Sequence, residues 1–182
     1  MARRAPPPAR AAAPLYTHFV STCYIVIFRI RKREVRFSRP MLSVHIANGI
    51  LVLAANLLAG LWGGIAWLRQ VPAVGFWYAL RVAQVTVVVQ VALGSILLLA
   101  GREAPGGLHY LYGVLPLVVS LAAEAIRSGI SERELEGLDF DSLPRERRRT
   151  IALAIVRRET GIMAVSALVV FLLALRAVGT SG

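Results

Sequence analysis

Four apolar runs dominate this chain: Leu42–Leu68, Phe76–Ala100, Leu108–Ile126 and Thr160–Val178. Each is close to or above the roughly 20 helical residues that cross about 30 Å of hydrocarbon. The runs are continuous in Leu, Val and Ala without the alternation of a strand, and lipid admits only helices or closed barrels, so each reads as a membrane helix. Hydrophobic residues make up 57% of the 182 and charged residues 17%, which leaves no separate soluble domain. The expected fold is an all-α integral membrane protein. It is an up-down bundle of four transmembrane helices over residues 41–182, made of two similar helix hairpins and placed in the cell membrane.

The formal charge of +11 would suggest nucleic acid in a soluble chain, but residues 1–40 alone contribute nine Lys/Arg against one Glu. The remainder is only mildly basic, and no nucleic-acid partner is expected. Met1–Pro14 is a Pro/Ala/Arg tract that reads as disordered. Leu15–Phe28 is too short for a comfortable span, and the basic stretch that follows it is unlike a signal-peptide cleavage site.

Orientation follows from the positive residues in short loops. The connection 127–158 holds eight Lys/Arg and should be cytoplasmic. Counting back three spans places the six basic residues of Arg29–Arg39 outside, against the same rule. The contradiction disappears if residues 1–40 are an extension from an upstream start codon and Met41 begins the protein. An inverted or dual topology is the alternative. Ser131–Glu134 has the form of a capping box starting a short polar helix, and Asp141–Pro144 of a second start that runs into the fourth span. Trp62, Trp67, Phe76, Trp77 and Tyr78 flank the first connection as an interface belt, with Arg81 reaching back toward headgroups.

A weak internal repeat links the first and third spans. Val44-His45-Ile46-Ala47-Asn48-Gly49 is echoed by Leu108-His109-Tyr110-Leu111-Tyr112-Gly113, and Leu51, Leu53, Leu57 and Ala59 by Leu115, Leu117, Leu121 and Ala123, at a constant offset of 64 residues. Residues four apart share a helix face, so each motif sets an imidazole beside a missing side chain. Odd-numbered spans run parallel, which brings His45 and His109 to the same depth near the outer face. Across the diagonal of a four-helix bundle, about 14 Å for axes about 10 Å apart, two inward imidazoles leave room for one metal-centred plane. Haem b with His45 and His109 as axial metal ligands and Gly49 and Gly113 as clearance for the ring meets that description. Arg102, on the outer turn, is the candidate partner of a propionate.

On His45, Gly49, His109 and Gly113, residues 41–178 resemble the small four-helix membrane cytochromes b, and more narrowly one half of a heme A synthase-type bundle. The resemblance implies b-type haem held near one face, and electron transfer with a redox partner or membrane complex. No Glu stands one turn before either His and no Arg directly after, where the synthase-type motif carries them. A divalent metal is disfavoured because no Cys, Asp or third His joins the pair.

The rival reading makes the histidines interfacial and the glycines packing notches, in a membrane subunit or scaffold without cofactor. A small transporter would need discontinuous helices, of which there is no sign. Asn48, Asn56, Gln84, Thr86, Gln90, Ser95, Ser120, Glu124 and Ser166 are expected to bridge helices by hydrogen bonds, with Glu124 pairing with Arg127.

Overall fold

The computed structural model describes the backbone of residues 13–104, 106–136 and 142–180, and side chains from residue 40 onward except in the gaps and at Ser131. Four helices account for almost all of it: α1 (Ala13–Arg69), α2 (Val74–Leu99), α3 (Gly107–Leu135) and α4 (Arg145–Gly179). There is no strand among the described residues. Pro40–Arg69 of α1 and the whole of α2, α3 and α4 are long and apolar enough to cross a membrane. The chain divides into two compact units at Pro40/Met41, the boundary that composition marks. In the first unit residues 13–39 are helical, while the tract before Ala13 lies outside the described residues.

In the second unit α1 packs against α2 and α4, and α3 packs against α2 and α4. The α1–α2 turn holds Gln70 in the left-handed region at φ 57°, and the α2–α3 turn holds Gly101 at φ 76°. Gly101 meets no neighbour, so its backbone conformation, and not lack of space, is what favours glycine there.

Burial is concentrated at the end of the bundle near those first-turn residues. Ala59, Phe76, Leu80, Ala83, Ala123, Met163, Ala164 and Ala167 form one buried cluster, and a smaller one of Val52, Val87 and Val170 lies toward the other end. Small residues set the close approach: a Cβ on Gly63 would overlap the Phe76 ring and come within 2.9 Å of the Ala164 methyl. Phe76 is therefore a core residue, and not part of an interface belt as its position beside the turn suggests. Trp62 and Trp67 stay exposed, each laying part of its ring over a glycine, Gly75 and Gly161.

Two helix boundaries differ from expectation. α3 runs through Ser131–Glu134 to Leu135 without a new start, because nothing between Gly129 and Leu135 breaks a helix and the residues there are mostly good helix formers. α4 begins at Arg145 with Pro144 just outside it, and continues without interruption into the apolar run. Asp141 lies outside the described residues.

Candidate functional site

The two ends of the bundle carry different chemistry. At the end holding the α1–α2 turn, Glu124 of α3 is a hub. It accepts from Arg81 at 2.5 Å and Gln84 at 2.8 Å on α2, and from Arg127 at 2.8 Å one turn further along α3. Arg127 also lies 3.8 Å from the buried Glu159 of α4 and over the Trp77 ring, 5.8 Å from its centroid. Arg158 of α4 pairs with Glu134 of α3. Arg81 thus pairs with Glu124 and also donates to Gln84 on its own helix at 2.7 Å, while its side chain stays about half exposed. This network ties α2, α3 and α4 together and leaves no carboxylate of the hub unpaired.

The opposite end, near the α2–α3 turn, holds both motif histidines. His45 of α1 faces α2: its Nε2 lies 3.2 Å from Gln90 Nε2, and a Cβ on Gly94 would stand 3.3 Å from its Cε1. His109 of α3 faces α4, with its Nδ1 3.1 Å from the carbonyl oxygen of Ala177. Both histidines thus lie at the same end of the bundle, on helices that each pack on α2 and α4, His45 against α2 and His109 against α4.

Backbone carbonyls decide the tautomer of each ring. A carbonyl only accepts, so His109 Nδ1 must carry the proton and donate it to Ala177, which leaves the Nε2 lone pair free. For His45 the chain of inference is longer. The Thr86 carbonyl accepts from Asn48 Nδ2 at 2.9 Å, so this atom is the amide nitrogen. It also donates to Gln90 at 2.8 Å, so the Gln90 atom facing it is Oε1, and the atom facing His45 is the N–H donor. His45 Nε2 is then the acceptor, and its proton sits on Nδ1. That Nδ1 is buried without a partner among the described residues.

The glycines of the two motifs differ in surroundings. A Cβ on Gly49 would stand 3.2 Å from Gln90 Nε2, so the amide fills the notch that sequence assigns to a ring. A Cβ on Gly113 would meet nothing within 4 Å. Between His109 and Ser120, α3 fully buries only Pro116, with Leu117 and Val119 partly buried against Val52, Val87 and Val170. Arg102 lies exposed on the α2–α3 turn, its backbone N–H donating to Leu97 at 3.0 Å.

The remaining polar groups of the apolar runs split. Asn48, Gln84 and Gln90 bridge helices as expected, whereas Asn56, Thr86, Ser95 and Ser166 return to carbonyls of their own helix three or four residues back. A short side chain reaches its own preceding turn more easily than a neighbour. Sequence reading gave Gln90 no special place; its spacing of 45 residues from His45 carries no local signal.

The donor set fits two axial imidazoles for haem: both rings are Nδ1-protonated, as ligation through Nε2 requires, and Gly113 has open space beside it. On the His45 side the fit needs the Gln90 amide, the end of a flexible side chain, to move. No metal-binding group of three or more His, Cys, Asp or Glu occurs among the described residues. The chain matches no family model, no curated protein and no solved structure.

Proposed function

We propose that this chain is a multi-pass protein of the cell membrane that binds haem b between His45 and His109. Its four spans form two similar hairpins, with 127–158 on the cytoplasmic side and the histidine end outside. The observation that carries the reading is the matched tautomer of two imidazoles at one end of the bundle, each protonated at Nδ1. Haem held by two imidazoles supplies one-electron transfer, since both axial positions are filled. The protein residues do the positioning: Ala177 holds the His109 ring at Nδ1, Gly94 admits the His45 ring, Gly113 leaves clearance, and Arg102 lies on the turn where it can meet a propionate. A redox partner or membrane complex would deliver and take the electron.

A second reading, a membrane subunit or scaffold without cofactor, is favoured by one observation, the Gln90 amide in the Gly49 notch. Absorbance of the purified protein separates the two. After expression with ample haem supply, the first reading expects a reducible b-type spectrum, lost as a six-coordinate species in His45→Ala and in His109→Ala while the helix content by circular dichroism is unchanged. A colourless wild-type protein sinks it and leaves the scaffold reading.

A further inference from the structure

We infer that Gln90 is a latch on the haem site, an internal occupant that caps the Nε2 lone pair of His45 and fills the Gly49 notch until haem displaces it. The inference rests on the haem reading above and adds to it the residue that controls loading. Three observations converge on the same amide. Gln90 Nε2 lies 3.2 Å from His45 Nε2, the atom that would bind a metal. The same nitrogen lies 3.2 Å from where a Cβ on Gly49 would stand, a tight contact. Its Oε1 is held by Asn48, which is itself held by the Thr86 carbonyl, so the amide cannot flip without losing a hydrogen bond.

The latch does two things at once. It keeps His45 in the tautomer needed for ligation, because a donor at Nε2 excludes a proton there. It also blocks ligation, because the lone pair is engaged. Release therefore yields a ring already protonated at Nδ1, and no proton has to move between the nitrogens. The cost of holding His45 this way is visible at Nδ1, whose N–H is buried without an acceptor among the described residues. Gln90 acts through His45 and is a positioning residue. Gln84, six residues earlier, takes no part; it is committed to Glu124.

The test is a hemin titration of the detergent-solubilised full chain, followed at the Soret band, for wild type, Gln90→Ala and Asn48→Ala. A hydrogen bond that need not be broken is worth about two- to tenfold in affinity. Gln90→Ala, which frees His45 and empties the notch, should bind hemin roughly tenfold more tightly than wild type, and Asn48→Ala should shift the same way. A second readout needs no haem: the 15N shifts of His45 in the haem-free wild type should report the Nδ1–H tautomer, and in Gln90→Ala this preference should relax. A merely structural Gln90 would alter stability while leaving hemin affinity where it was. If wild type takes up hemin and Gln90→Ala binds equally or less well, the latch is wrong and the haem reading stands. A wild-type His45 protonated at Nε2 also overturns the latch. If wild type and both variants all stay colourless, the haem reading fails and the latch with it.

Discussion

A single missing side chain separates the two readings of the histidine end most sharply. Gly113 lies one turn after His109 on the same helix face, yet a Cβ there meets nothing within 4 Å. As a packing notch it would have a neighbour; Gly63, whose Cβ would overlap Phe76, shows what such a notch looks like. Gly113→Leu should therefore leave the helical bundle as stable as wild type, within about 0.5 kcal/mol, and yet abolish haem uptake by filling the clearance. Thermal unfolding and hemin titration on the same preparation check both halves. Haem uptake undiminished in the leucine variant would remove Gly113 from the site.

At the scale of a helix, α1 is held by glycines on one face only. Gly60 and Gly63 face Leu168, Phe76 and Ala164, whereas Gly64, the next residue, has open space. The Phe76 ring is fully buried and has nowhere to retreat. Gly63→Ala should cost about 1–3 kcal/mol through overpacking, while Gly64→Ala should be neutral or stabilising by up to about 1 kcal/mol through the better helix former. Denaturant titration of the two variants gives the contrast. Equal effects would mean that α1 does not present this face to α2 and α4.

The whole bundle is polarised between its ends. One end has the larger buried cluster and a three-helix charge network centred on Glu124; the other has the imidazoles, the smaller buried cluster and the Gln90 amide against His45. The eight Lys/Arg of 127–158 lie on the connection that follows the Glu124 end of α3, so a topology reporter inserted at Ser142 or Leu143 should be active only in the cytoplasm. Activity on the far side would reverse the orientation and move both histidines to the inner face.

The sequence by itself determined the four helices and their approximate spans, because apolar length and lipid's demand for internally satisfied backbone leave few alternatives. Composition also shifts at residue 40, where the chain divides into two compact units although α1 runs on through Pro40. The repeat pointed to His45 and His109 through a face-sharing period, a local property of a helix. Which atoms those imidazoles meet was not legible, because hydrogen bonds between residues 38 to 68 positions apart leave no mark on local spacing. Only the tertiary structure turned Arg81 toward Glu124, sank Phe76 into the core and filled the Gly49 notch. Each of these depends on which helix lies opposite, and four apolar helices of similar composition do not announce their neighbours. Gln90 is the clearest instance: alone it is one polar residue on an apolar helix, and the carbonyl of Thr86, acting through Asn48, makes it the donor that His45 faces.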